Sequence, residues 1–227
     1  MSYGLNEYQP RETILENRQR LVRSVAGREL PLATLRQVHT DRVFKASRAP
    51  LSDPPQGDGW VTGEPELLVA IQTADCLPVL LVDPQQRVVA AVHAGWRGTL
   101  QRIAAKAVHL MQTDFGSHPG NCVAVVGPAI RRCCYEVGEE VVEAFTRERS
   151  ASFFSEPPSG KVTRANSLCF DLAEASRSQL LDAGMTAEKI FTDGPCTACE
   201  KDRFFSHRAD AGQAGRMMSV IGIVDSG

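Results

Sequence analysis

The segment Val88-Val89-Ala90-Ala91-Val92-His93-Ala94-Gly95-Trp96-Arg97-Gly98-Thr99 joins an unbroken apolar run to a turn marked by two glycines. The run from Val88 to His93 is short and rich in valine, which favours a buried strand over a helix. Past the turn, Leu100, Ile103, Ala104, Ala107, Val108 and Met111 recur at helical steps, so the spacing predicts one helix opening near Gly98 and Thr99. Strand, turn and helix in that order make an α/β unit.

Neighbouring stretches extend the pattern. Leu67 to Gln72, Val79 to Val82 and Val123 to Val126 are further apolar runs of strand length, and Met217 to Val224 reads as a final strand. Ile14, Leu15, Leu21, Val22 and Val25 fall mostly at three- and four-residue steps around Arg18 and are closed by Gly27, as in an amphipathic helix. Val137 to Arg149 and Asp171 to Ala183 also read as helices, the second stopped by Gly184. Ala49 to Gly59 and Ser155 to Gly160 are rich in Pro, Ser and Gly and read as surface loops, too short to serve as domain linkers. With no fixed-period repeat, the expectation is a single α/β domain over residues 1–227 with mixed sheets.

Composition narrows the function. Lys plus Arg at 25 against Asp plus Glu at 27 leaves a net charge of -2, which offers no broad electrostatic footprint for nucleic acid or a membrane surface, so a small-molecule partner is expected. Met1 to Pro10 lack the basic and apolar parts of a secretory signal, and no apolar run reaches the roughly 18 residues that span a bilayer. The 7 cysteines are an odd number and suit free or metal-bound thiols in a reducing compartment, so a cytoplasmic protein is expected, as a monomer or small homo-oligomer.

Histidines number 5, few enough to compare one by one. His109 lies within the predicted helix and His118 in a Gly/Ser/Pro loop, so both read as structural or solvated. His39, in Arg36-Gln37-Val38-His39-Thr40-Asp41, and His93 sit at the edges of apolar segments, where sites are built. Cys76, in Thr73-Ala74-Asp75-Cys76-Leu77-Pro78, lies between two apolar runs, where the chain must turn or leave the sheet. Two imidazoles and a thiolate would give Zn²⁺ three ligands and keep a fourth position for water or substrate, as in catalytic zinc sites. Spacing alone is weak support, since an apolar cysteine is more often an inert core residue. Arg97 and the N–H groups of the helix start after it could take an anion beside the metal, or Arg97 could simply pair with a surface acid.

Other candidates carry less. Cys196-Thr197-Ala198-Cys199 has the CxxC spacing of a redox or metal role, but no second pair follows at zinc-ribbon spacing to support one. Cys133 and Cys134 are adjacent, too close for an unstrained bridge, so one is expected to face the core and the other a cleft. His207 and Arg208 could sit at a pocket rim beside Phe204 and Phe205, and Asp58 could bind polar substrate atoms or make an Asx-turn.

The strings RQVHTD, GDGWVT, TADCLPVLLVD, AAVHAGWRGT, GPAIRRCCYEVGEEV, CTAC, FFSHR and GRMMSVIG, in this order across nearly the whole chain, resemble the YfiH/LACC1-type family. That family was formerly labelled polyphenol oxidase or laccase-domain protein and is now associated with purine nucleoside phosphorylase activity. The resemblance implies an α-β-β-α layered sandwich and a zinc site at His39, Cys76 and His93. It also implies phosphorolysis of adenosine, inosine and methylthioadenosine to base and ribose 1-phosphate, with deamination of adenosine to inosine. Arg97, Asp58 and Arg208 then become expected substrate or phosphate contacts, and Asp75 or Asp58 the expected stabiliser of positive charge at the ribose. Two departures stand out. The segment before Tyr3-Gly4-Leu5-Asn6 lacks the strand and glycine-rich turn usual in the family, and Arg131-Arg132 follows Ile130 where glycine is more usual.

Two other chemistries could use the same atoms. Cys76 could be the nucleophile of a cysteine hydrolase with His93 as its base, because some relatives are described as peptidoglycan-precursor editing factors. Two His and one Cys also resemble a mononuclear copper centre, making Cu²⁺ the alternative ion, but a multicopper oxidase needs more imidazoles than 5 His supply.

Overall fold

The computed structural model describes residues 10–49, 53–148, 151–158 and 167–225 of the chain. Residues 1–9, which include Tyr3 to Asn6, lie outside them, as do parts of the two expected loops and the last residue of the helix expected to end at Arg149.

Helix α1 (Arg11–Ala26) precedes three short strands, β1 (Leu32–Ala33), β2 (Val43–Lys45) and β3 (Gly59–Thr62). Three longer strands follow, β4 (Leu68–Thr73), β5 (Leu77–Asp83) and β6 (Val88–Ala94). Helices α2 (Trp96–Leu100) and α3 (Ile103–Phe115) lead to β7 (Val123–Val126), β8 (Glu136–Val137) and α4 (Glu139–Glu148). Strands β9 (Phe154–Ser155) and β10 (Leu168–Phe170), helix α5 (Leu172–Asp182), β11 (Ile190–Phe191) and β12 (Met217–Gly222) complete the order.

The apolar run at Val88 is the middle of the molecule. All seven residues of β6 are buried, and β6 lies between β5 and β3 in a six-stranded sheet ordered β11-β7-β5-β6-β3-β2. Pairings at β5, β6, β7 and β3 are antiparallel, whereas β2 with β3 and β11 with β7 are parallel, so the sheet is mixed. Because successive side chains point to opposite faces, a strand covered on both sides must be apolar throughout. Val88, Ala90, Val92 and Ala94 join the core beneath α3, α4 and α5, while Val89 and Ala91 join a second core beneath the small sheet β1-β4-β12. His93 falls on the second set's face, between the two sheets. A third sheet, β8-β10-β9, flanks α4 and α5.

The predicted single helix from Leu100 to Met111 is two helices. Arg102 takes the left-handed conformation with φ 62, and its N–H closes onto the Thr99 carbonyl at 2.9 Å. Gln179 of α5 donates to that same carbonyl at 2.6 Å, so the end of α2 is satisfied without continuing the helix. Helix α3 then restarts and buries Ile103, Ala104, Ala107, Val108 and Met111. Gly27 ends α1 in the left-handed conformation, its N–H bonding the Arg23 carbonyl at 2.9 Å. Asp171 caps α5 instead of belonging to it, accepting from Glu174 N at 3.0 Å. The helix expected from Val137 starts at Glu139, because Val137 is drawn into a strand opposite Leu168. Strands β1, β2 and β3 fall where no strand was expected.

Leu81 is fully buried at the centre of the large sheet. Leu81→Ala is expected to cost ~2–5 kcal/mol, read as a lower urea midpoint at unchanged slope.

Candidate active site

Sheet register brings the candidate residues together. Gly59 pairs with Val92 and Leu77 with Ala94, so Asp58 stands beside His93 and Cys76 opposite Gly95. Residues 74–76 carry the chain from β4 of the small sheet to β5 of the large one, which puts Cys76 at the mouth between the sheets. His39 arrives on the loop from β1 to β2. The three ligand atoms of His39, Cys76 and His93 all lie within 4.8 Å of one another, with Cys76 Sγ and His39 Nε2 4.0 Å apart. Zinc bonds of about 2.0–2.3 Å at tetrahedral angles separate a nitrogen and a sulfur ligand by about 3.5 Å, so the donor set fits such an ion. Gly95 leaves room for it: a Cβ there would sit 3.1 Å from Cys76 Sγ and 3.2 Å from His39 Cδ2.

Asp58 is the organiser. It is fully buried, and its carboxylate accepts from Val38 N at 3.3 Å, His39 N at 3.1 Å, Thr40 N at 2.7 Å and Thr40 Oγ1 at 2.8 Å. His93 Nδ1 approaches the same carboxylate at 2.8 Å, which leaves Nε2 as the nitrogen available to the cluster. A carboxylate behind a ligating imidazole is a recurrent arrangement at metal sites, because it fixes both tautomer and ring orientation. The expected substrate contact at Asp58 is therefore corrected. Its oxygens face His93 and the 38–40 backbone, and it does not line the cavity.

Charges reinforce one another here. Burial pushes the Cys76 thiol up, but the positive charge at His93 and the hydrogen bond from His39 outweigh it and bring the pKa down to about 6. Burial pushes His93 down, but the Cys76 thiolate and Asp58 outweigh it and raise the pKa to about 9. Burial also opposes the Asp58 charge, yet bonds from His93 and Thr40 hold it below the usual carboxylate value.

The cluster opens into a cavity of about 690 Å³, within the range of small-molecule sites. Leu35, Val38, Ile130, Leu172 and the Tyr135 ring supply an apolar wall, and Arg36, Arg208 and Arg216 supply cations. Asp75 lines it too, at φ 88, with Oδ1 accepting from Thr197 Oγ1 at 2.6 Å and Oδ2 from Arg208 N at 2.7 Å. His39 has φ 59, so two non-glycine residues of the site hold a left-handed backbone that their hydrogen bonds keep in place.

Arg97 is elsewhere. Helix α2 begins at Trp96, so Arg97 falls inside its first turn, exposed and stacked on the Trp96 ring at 4.3 Å, and is absent from the cavity lining. Arg208 and His207 do line the cavity, and an NH1 bond to the Glu136 carbonyl at 2.9 Å fixes the Arg208 guanidinium. His109 and His118 are exposed. Tyr135, Arg36 and Arg216 were not singled out from sequence, although all three lie inside the quoted strings.

Residues 1–224 match the family described as multi-copper polyphenol oxidoreductase laccase. The chain belongs to that family. Purine nucleoside phosphorylase YlmD of Geobacillus stearothermophilus is 35% identical over 230 residues, covering 98% of this chain and 83% of its own length. Adenosine deaminase RL5, from an unknown prokaryotic organism, is 38% identical over 167 residues, 72% of this chain and 61% of its own. The crystal structure of YlmD from Geobacillus stearothermophilus superposes with a TM-score of 0.88 at 34% identity, over 98% of this chain and 84% of that one. The resemblance read from the sequence is thus upheld at the level of family and fold. No helix among the described residues is long and apolar enough to cross a membrane.

Two measurements probe the cluster. Asp58→Asn keeps the shape but removes the charge behind His93, and chelator competition should show zinc affinity falling about 10- to 100-fold. In metal-free protein, the iodoacetamide rate at Cys76 should rise with pH through a midpoint near about 6, because only the thiolate reacts. A midpoint near that of a free thiol would mean that the imidazoles do not act on Cys76.

Proposed function

We propose that this chain is a zinc-dependent purine nucleoside phosphorylase that also deaminates adenosine. The observation that carries the reading is the convergence of His39, Cys76 and His93 at the edge of a cavity of nucleoside size with three arginines on its wall. The names of the relatives support the same reaction class. His39, Cys76 and His93 would hold the ion, which when bound supplies a Lewis acid able to bring the pKa of water down to about 7. Zinc fits better than copper, since no methionine is among the residues lining the cavity to serve as an axial ligand. Cytoplasm suits such a site, because thiolate ligands persist where thiols stay reduced.

The residues divide the work by position. Leu35, Val38, Ile130 and Leu172 would bury the purine, and the Tyr135 ring would pack against it. Arg208, assisted by Arg36 and Arg216, would hold phosphate, the role first expected of Arg97. In phosphorolysis a phosphate oxygen bonds to C1′ while the bond to the base breaks, so positive charge grows on the ribose. Asp75 is the cavity carboxylate able to stabilise it. The departing base needs a proton at a ring nitrogen. Burial and the Cys76 charge raise the Tyr135 hydroxyl far above the usual phenol value, so it would stay neutral and donate a hydrogen bond, while the proton that ends on the base comes from the incoming phosphate monoanion. In deamination water adds at C6 of adenosine and ammonia leaves, with Asp58 keeping His93 in one tautomer throughout.

Zinc-loaded protein given inosine and phosphate should release hypoxanthine and ribose 1-phosphate in equal amounts, and Cys76→Ala should fall to background. Absence of turnover on both adenosine and inosine defeats the proposal. Arg208→Ala should raise the phosphate KM about 10- to 100-fold, the equivalent of one charged hydrogen bond of ~1.5–3 kcal/mol. The ionised Cys76 beside His93 also favours a second reading, a cysteine hydrolase. Alkylation of Cys76 in zinc-loaded protein would select it, whereas protection by zinc supports the phosphorylase.

A further inference from the structure

Two loops outside the catalytic cluster meet at the edge of the large sheet. Strand β11 pairs in parallel with β7, so the chain leaves both strands at the same end. Ala129 N donates to the Pro195 carbonyl at 3.2 Å and Thr197 N to the Ala129 carbonyl at 3.0 Å. This stitching brings Cys133-Cys134 against Cys196 and Cys199. The four sulfurs all lie within 4.8 Å of one another, with Cys199 Sγ 3.6 Å from Cys133 Sγ and 3.4 Å from Cys134 Sγ. The expectation that the adjacent cysteines face opposite ways is thereby corrected, since both point to Cys199.

We propose that Cys133, Cys134, Cys196 and Cys199 bind a second Zn²⁺ as a closed tetrathiolate site. Zinc–sulfur bonds of about 2.3 Å at tetrahedral angles place sulfurs about 3.8 Å apart, inside the range seen here, whereas a disulfide needs about 2.05 Å. Cys196 Sγ accepts the Arg131 amide at 3.4 Å and is also faced by the amides of Ala198 and Cys199. Such N–H···S bonds orient a ligating sulfur and spread its charge. Four thiolates around a dication leave two negative charges, and Arg131 is within Coulombic reach of Cys133 and Cys196 to offset them. Each thiol that binds releases its proton, so uptake of the ion acidifies unbuffered solution.

A site with four protein ligands has no position for a reactant, so its work is to hold the loops. They carry the far wall of the active-site cavity. Tyr135 follows Cys134 directly, Thr197 between the CxxC cysteines donates to Asp75, and Arg208 NH1 reaches the Cys134 carbonyl at 3.5 Å. The second ion would thus fix the residues that face phosphate and ribose.

Metal analysis of the purified holoprotein tests this. Wild type should hold two zinc ions per chain, one for each cluster. Cys76→Ala should keep one, and zinc-edge X-ray absorption of that variant should show four sulfur neighbours at about 2.3 Å. Cys196→Ser/Cys199→Ser should lose that ion and keep the other. A zinc-free Cys76→Ala protein overturns the proposal, as does nitrogen in its zinc shell. So does a Cys133–Cys199 or Cys134–Cys199 disulfide mapped after anaerobic purification. The Cys76→Ala result decides even if the double variant does not fold. One ion in wild type, retained in Cys76→Ala, would sink the active-site reading while leaving this one standing.

Discussion

A single buried carboxylate holds the site together. Asp58 gathers three consecutive amides, a hydroxyl and an imidazole, so one negative charge links the loop that carries His39 to the strand that carries His93. Such a charge is tolerable inside a protein only when its partners are complete, since leaving one unpaired costs about 3–5 kcal/mol. The left-handed backbone at His39 is held by the same bonds. Ligand placement and loop conformation are therefore one constraint.

Asp75 does the corresponding work on the other side of the cavity. Its carboxylate ties the turn between the two sheets to Thr197 and to the backbone of Arg208, and its carbonyl accepts from Ile130 N at 2.9 Å. Segments far apart in the chain thus converge on two aspartates, one beneath the imidazoles and one along the substrate wall. The four-cysteine cluster lies behind the second of these, where the loops after β7 and β11 leave the sheet together.

How much of this was legible varied with the range of the forces involved. The strands around Val79, Val88 and Val123 are buried on at least one face, so their apolar content exposed them. Strand β3 was hidden because Gly59-Trp60-Val61-Thr62 is short, follows a Pro/Gly-rich stretch and contains no long apolar run; its burial comes from neighbours supplied by β6 and β2. The break at Arg102 was invisible for a similar reason, since it depends on Gln179 from another helix. Arg97 was expected ahead of the helix start, but α2 begins at Trp96 and places it within the first turn, over the Trp96 ring.

From residue order alone came the α/β class, the strand, turn and helix around His93, the family, and the three residues suited to a tetrahedral ion. Local periodicity and motif chemistry are properties of neighbouring residues, so one chain suffices to read them. Tertiary structure decided that Asp58 bonds His93 and the 38–40 backbone, that Arg208 and Tyr135 face the cavity, and that the two cysteine pairs converge. Each of these depends on segments distant in sequence becoming neighbours, which is decided by the packing of whole sheets and the loops they bring together.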